Sequence, residues 1–315
     1  MSYNPSSQTK LYLYEKYFNL FADLYKKNLL PNKILLSGHS GIGKSTFAYH
    51  FINYALSENE SNPYDRKNFL INDLNKSYKL ISQNYHPNFF LIDIVDEKHS
   101  IDVKQIRNMI SYANKTSYDK KIKFILINNA EYLNLHSINA LLKIVEEPNS
   151  NTFFIFTHNS SKQIKDTLKS RCIEFKIFFT YKEKQQILSL LLKQFNVDLS
   201  INLRSEIVSF HDTPGLILEY IEFFDGQLEK LKDADLKEII LKLMDFHKTN
   251  KSNSNLFLLQ NAIELFFYIK IVNSTNKIKV FTKYSKVINQ LDYFKKYNID
   301  MNNTFYEIKE NIVHA

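Results

Sequence analysis

The residues best placed to do chemistry lie between positions 38 and 46: Gly38, His39, Ser40, Gly41, Ile42, Gly43, Lys44, Ser45 and Thr46. Gly38, Gly43, Lys44 and Ser45 complete the pattern G-x-x-x-x-G-K-[ST] of a phosphate loop. Glycines let backbone N–H groups close around phosphate oxygens with no Cβ in the way. The helix that follows presents free N–H groups and its positive dipole end to the same oxygens. In such a loop Lys44 reaches the β- and γ-phosphates and Ser45 holds Mg²⁺ through the nucleotide. Only 5 glycines occur in 315 residues. Three of them fall within six positions here, which argues against a chance turn and for an ATP/Mg²⁺ site by descent.

The flanking elements are those that such a loop requires. Ile34-Leu35-Leu36 precedes it as a short buried strand, and Phe47, Ala48 and Phe51 carry a helical pattern beyond it. An opening helix is expected within 9–28. Further strands are expected at Phe89–Ile94, Ile122–Ile127, Thr152–Thr157 and Ile173–Phe178. These runs are short and nearly continuous in apolar residues, as in strands covered on both faces. Asn134 is a candidate N-cap for a helix ending before Pro148. Five strands alternating with helices predict an α/β fold with a parallel sheet. The crevice at the strands' carboxyl ends then gathers the loop, Asn128 and Thr157 on one edge. After about residue 180 the strand pattern stops. Helices are expected at Tyr181–Phe195, Asn202–Phe210 and Pro214–Phe224, then at Leu236–Phe246 and Leu256–Val272.

Composition narrows the class. The single cysteine, Cys172, excludes an internal disulfide and a cysteine-cluster zinc site, so no zinc is expected. The N-terminus has neither a basic start nor an apolar block, so no secretory signal is expected. Charged or polar residues interrupt the longest apolar runs, so no membrane span is expected, and the setting is read as cytoplasmic. The net charge of +8 is compatible with a DNA-side partner, although the lysines are scattered.

Beyond the loop, His86-Pro87 stands before a strand. Asn139-Ala140-Leu141-Leu142-Lys143 is followed by Glu146-Glu147-Pro148, and Ser170-Arg171-Cys172 comes about two dozen residues later. In this order and spacing the chain resembles the bacterial clamp loader branch of the AAA+ ATPases over about residues 30–178. The resemblance implies three domains. They are an AAA+ nucleotide-binding domain with a five-stranded parallel sheet at 1–178, a small helical lid at 179–226 and an all-α collar for oligomerisation at 227–315. It also implies a hetero-oligomeric ring that places a sliding clamp on primer-template DNA. The partners would be motor and delta subunits of the loader and, through the complex, clamp and DNA. Arg171 matches the arginine that reaches into a neighbour's ATP site, where a guanidinium neutralises charge on the γ-phosphate.

The departures from the family pattern concern the chain's own turnover. An active site needs an Asp at the end of the third strand to hold Mg²⁺ and a neighbouring Glu to polarise water. Asn128 and Asn129 stand there, and an amide is neither a base nor a strong Mg²⁺ partner. Thr157 or Asn159 matches the residue that senses the γ-phosphate. The lid element Thr213-Pro214-Gly215-Leu216-Ile217-Leu218 lacks the arginine that motor subunits supply. The expectation is therefore a non-motor subunit that binds ATP weakly or not at all and hydrolyses little of it. The alternative is an active motor subunit or a helicase-loader-like ATPase. A small-metabolite kinase would leave the later motifs unexplained, and a bare DNA-binding protein has only the charge behind it.

Overall fold

A computed structural model describes residues 3–95, 100–115, 122–148, 151–197, 210, 213–223, 235–249, 253–297 and 300–313. The expected helix Asn202–Phe210 lies outside these residues, apart from Phe210 itself. The chain forms two compact units. One gathers Met1–Val95, Ser100–Val197 and Thr213–Leu216; the other is built mainly from Ile217–Ala315.

The first unit holds a parallel sheet of β1 (Lys33–Gly38), β2 (Phe89–Ile92), β3 (Lys123–Ile127), β4 (Thr152–Asn159) and β5 (Ile173–Lys176). The strand order is β2-β3-β4-β1-β5. Its helices are α1 (Glu15–Lys26), α2 (Lys44–Leu56), α3 (Lys76–Ser82), α4 (Val103–Asn114), α5 (Leu135–Glu146), α6 (Asp166–Lys169) and α7 (Tyr181–Phe195). β1 lies between β4 and β5, with Ile34 opposite Ile155 on one side and Ile173 on the other.

Alternation along each strand sorts the apolar residues between two cores. Ile34, Leu36, Phe124, Leu126 and Ile155 face one, with Phe18, Phe21, Phe47 and Phe51 from α1 and α2. Leu35, Ile125, Ile127, Phe154 and Phe156 face the other, with Ile106, Met109, Leu141 and Val145 from α4 and α5. Burial on both faces, which the near-continuous apolar runs predicted, holds for β1, β3 and β4. It fails for β5, which forms an edge of the sheet and leaves Ile173 and Lys176 exposed. Lys123, the charge inside one run, is buried and donates to the carbonyls of Tyr112 and Lys115.

Helix starts follow local chemistry. Asn134 caps α5 by accepting from the Ser137 N–H at 2.9 Å, as expected. Asp102 and Gln105 form a capping box on α4. Thr180 and Glu183 form another on α7. Two strands are shorter than expected. β2 ends at Ile92, not Ile94, and β5 ends at Lys176, not Phe178.

The second unit is helical, with helices Leu236–Thr249, Asn253–Asn273, Lys277–Tyr297 and Met301–Val313. The stripe Leu256, Leu259, Ala262, Ile263 and Phe266 is buried, so it forms internal core. Asn255–Asn273 is nevertheless long and apolar enough to cross a membrane by length and composition alone, and half of it is buried within the protein. Polar Gln260 and Asn261 and charged Glu264 and Lys270 lie within it.

Phe51 is fully buried between α1, α2 and the sheet, with rings of Phe18, Phe21, Tyr25 and Phe124 around it. Phe51→Ala is expected to cost about 3–5 kcal/mol. Hydrogen exchange of the β1 and β3 amides measures this, and protection unchanged from the wild type would contradict it.

Candidate functional site

The loop between β1 and α2 is held by backbone conformations that only glycine adopts without strain. Gly41 has φ +75° and Gly43 φ +93°. Carbonyls of the loop are engaged from several sides. Lys44 Nζ donates to the carbonyls of Gly38 at 2.9 Å and His39 at 2.6 Å. The Tyr14 hydroxyl donates to Ile42 O at 2.8 Å, its buried ring stacking on Phe47. The Gly215 N–H donates to Gly41 O at 2.7 Å. His39 Nδ1 lies 3.3 Å from Ser161 Oγ. On the β5 side of the loop a cleft of about 650 Å³ opens between Gly38, His39, His158, Lys162, Lys176 and Phe178.

Beyond Ser45 a chain of side chains runs across the ends of β3, β4 and β2. Ser45 Oγ donates to Asn128 Oδ1 at 3.0 Å. The Asn128 amide donates to Asp93 Oδ2 at 3.0 Å, and the Asn129 amide donates to Asp93 Oδ1 at 3.1 Å. Thr157 Oγ1 accepts from the Asn129 N–H at 3.0 Å and lies 3.4 Å from Asn128 Oδ1. Gln105, the capping-box residue of α4, donates to Asp93 O at 2.7 Å and fixes that backbone. Glu131, in the short turn after β3, reaches across to β4. Its Oε2 accepts from the Asn159 N–H at 3.2 Å, while Asn159 Oδ1 accepts from the Ser161 N–H.

The expected cluster of loop, Asn128 and Thr157 is therefore assembled on one sheet edge. Of the two sensor candidates, Thr157 joins the Asn128 network and Asn159 turns its amide oxygen away. Asp93 and Tyr14 were not anticipated, whereas Thr213 and Gly215 belong to the lid element that the resemblance placed near the nucleotide, without their contact on Gly41 being foreseen. A polar residue inside a buried apolar run was the available signal for Asp93, and nothing local marked Tyr14.

Arg171 lies elsewhere. It precedes β5, and Ile173 at the start of β5 pairs with Ile34 at the start of β1. The loop follows Gly38 at the other end of β1. Because the strands are parallel, Arg171 and the loop occupy opposite edges of the sheet. The stretch from Ile34 to Gly38 alone spans about 13 Å at ~3.3 Å per residue. Arg171 Nε and Nη2 lie 2.9 and 2.6 Å from Glu146 Oε1, and Nη1 donates to Thr167 O at 2.8 Å. Both partners of this pair are partly exposed. Cys172 is half-buried, and burial pushes its thiol up to about 11, so it is an inert thiol.

The residues fit the phosphate half of a nucleotide better than its metal. The glycine turns and Lys44 form a cradle. Ser45, however, donates to an amide oxygen, and both oxygens of Asp93, the carboxylate next along this network, are held by amides. Among the described residues no group of three or more His, Cys, Asp or Glu could hold a metal ion.

A family profile described as "DNA polymerase III, delta subunit" matches residues 14–179, more than half of the chain. The chain belongs to this family. Within it, the chain is similar to "DNA polymerase III subunit delta'" of Pseudomonas aeruginosa, 28% identical over 140 residues, 44% of this chain and 41% of that protein. It is also similar to the delta' subunit of Buchnera aphidicola subsp. Baizongia pistaciae, 26% identical over 284 residues, 84% of this chain and 81% of that one. A gamma subunit of Buchnera aphidicola subsp. Schizaphis graminum is 31% identical over 45% of this chain and 37% of its own. The match to the first of these relatives covers less than half of its length. The phosphate loop, the five-stranded parallel sheet and the helical C-terminal part are the AAA+ architecture expected from the delta' resemblance.

Lys44 gives the site a measurable signature. Burial pushes it from 10.5 down to about 8, against the opposing pull of Glu131. The unfolded chain takes up this proton near pH 10.5 and the folded loop only near 8. The burial penalty is thus complete below about pH 8 and fades as pH rises towards 10.5. Across that window the wild type should gain stability relative to Lys44→Met by on the order of 2–4 kcal/mol. Denaturation at a series of pH values reads this, and a pH-independent gap would mean that the ammonium is not buried.

Proposed function

We propose that the chain is a non-motor, delta'-like subunit of a DNA polymerase III clamp loader. It supplies Arg171 to the ATP site of a neighbouring motor subunit and binds ATP weakly or not at all through its own loop. Its partners in this reading are the loader's motor and delta subunits and, through the complex, the sliding clamp and primer-template DNA. Its setting is the cytoplasm. The proposed division is a nucleotide-binding domain at 1–178, a lid at 179–226 and a collar at 227–315.

The observation that carries the reading is the position of Arg171 on the sheet edge opposite its own phosphate loop. A guanidinium so placed has no route to its own loop without refolding, but it can meet a triphosphate presented by another chain. The same reading is supported at the loop. Asn128 and Asn129 replace the acids that hold metal and activate water, and the bound carboxylate of Asp93 leaves neither function available.

A second reading, an active motor subunit, draws support from the complete Lys44–Ser45 motif and from the relative named gamma. It predicts ATP turnover by the isolated chain that Lys44→Ala abolishes.

The deciding experiment reconstitutes the loader with its motor and delta subunits and measures clamp- and DNA-stimulated ATP turnover. Arg171→Ala should slow the site that it completes by about 10³-fold or more, lowering total turnover by that site's share. Arg171→Lys should recover little of it, because an ammonium lacks the planar fork. Lys44→Ala should leave turnover unchanged. Full turnover with Arg171→Ala would overturn the proposal.

A further inference from the structure

The loop is covered by a contact within its own compact unit. Thr213–Leu216 packs directly on Gly41. The Gly215 N–H donates to Gly41 O at 2.7 Å. A Cβ on Gly215 would lie 2.7 Å from Gly41 O and 2.8 Å from Gly41 Cα. A Cβ on Gly41 would lie 2.7 Å from Thr213 Oγ1 and 2.8 Å from Leu216 N. The two backbones therefore touch, and two of the chain's five glycines make that approach possible. No ligand fits between them.

Two further observations belong to this contact. Thr213 is 5% exposed, and its Oγ1 is buried without a hydrogen-bond partner beside the loop. A buried hydroxyl left in that state is costly. Pro214 opens the helix Pro214–Phe223, so Gly215 carries the first N–H of that helix. That N–H belongs to the set of helix-start donors that anions seek. Here a loop carbonyl takes it.

We propose that Thr213–Gly215 is a latch that holds the phosphate loop shut, and that nucleotide binds only when the latch lifts. The inference rests on the reading that this chain binds ATP weakly, and it supplies the cause. The open state is a small fraction of the population, and apparent affinity falls by that fraction. When the latch lifts, Gly41 is uncovered and the Gly215 N–H is released to solvent. Gly215 is an affinity-determining residue through its lack of a side chain.

The test titrates the full chain with a fluorescent, non-hydrolysable ATP analogue, comparing the wild type with Gly215→Ala and Gly215→Val. Either side chain must push the segment off Gly41, so both variants should bind at least about tenfold more tightly than the wild type. Folded variants with unchanged affinity overturn the latch. Tight binding by the wild type itself would instead defeat the weak-binding reading, so the two failures are distinguishable. Peptide-level hydrogen exchange on the wild type gives a second readout should a variant fail to fold. Saturating analogue should raise exchange across 213–216 if the latch opens. Protection that stays the same or increases with analogue bound overturns it.

Discussion

The constraint on which the rest depends is the position of β1 between two parallel neighbours. Its residues alternate between two cores, so it cannot slip by one place without exchanging Leu35 with Ile34 and Leu36. Pairing with β4 and β5 then fixes both ends. At its carboxyl end the chain must turn into α2 within five residues, Gly38 and Lys44 being the last of β1 and the first of α2. At its amino end, β5 begins in register, directly after Ser170-Arg171-Cys172. The phosphate loop and Arg171 are thereby held apart by the same strand that links them, a separation no side-chain rotation removes.

The phosphate-loop edge shows how two amides at the end of a strand are satisfied by a carboxylate from its neighbour. Where a metal site of this kind presents carboxylates, the chain presents two amides, and each amide needs a partner when partly buried. Asp93 supplies both acceptors from the end of β2, and Gln105 in turn fixes its backbone. Every link in Ser45–Asn128–Asp93–Asn129 is a neutral or singly charged hydrogen bond of ordinary length. The network therefore stabilises the unliganded edge. Lys44 is similarly provided for, with two loop carbonyls in place of phosphate oxygens. Such internal satisfaction favours the closed edge over one that waits for an anion.

How much of this was legible follows from how local each interaction is. The loop, the Asn134 cap and the five strands rest on spacing within a dozen residues, and the sequence displays them directly. The strand ends were less legible. β5 stops at Lys176, although Ile177 N still reaches Ser37 O and apolar residues continue to Phe179. Asp93 lay inside the strand expected to reach Ile94, and its role was hidden because its partners lie 35 and 36 residues away. The contact of Gly215 with Gly41 was invisible for the same reason. Glycine marks a close approach, but the sequence does not say what approaches. Glu131 is a further case, since the short turn Ala130–Tyr132 aims it across the sheet end to Asn159, 28 residues away in the chain.

The two cations of interest differ in availability, and burial is the reason. Lys44 is 8% exposed and engaged with two carbonyls that move only with the loop itself. Arg171 and Glu146 keep 34% and 49% of their side-chain surface exposed. A pair so wetted contributes about 0–1 kcal/mol, since water competes for both partners. Exchanging Glu146 for a more highly charged oxygen cluster then costs little. The guanidinium brings its planar fork to the exchange already oriented by Thr167 O. In the proposed reading, an exposed arginine and a sealed lysine on opposite edges of one sheet suit the chain to give positive charge to a neighbour rather than to use its own.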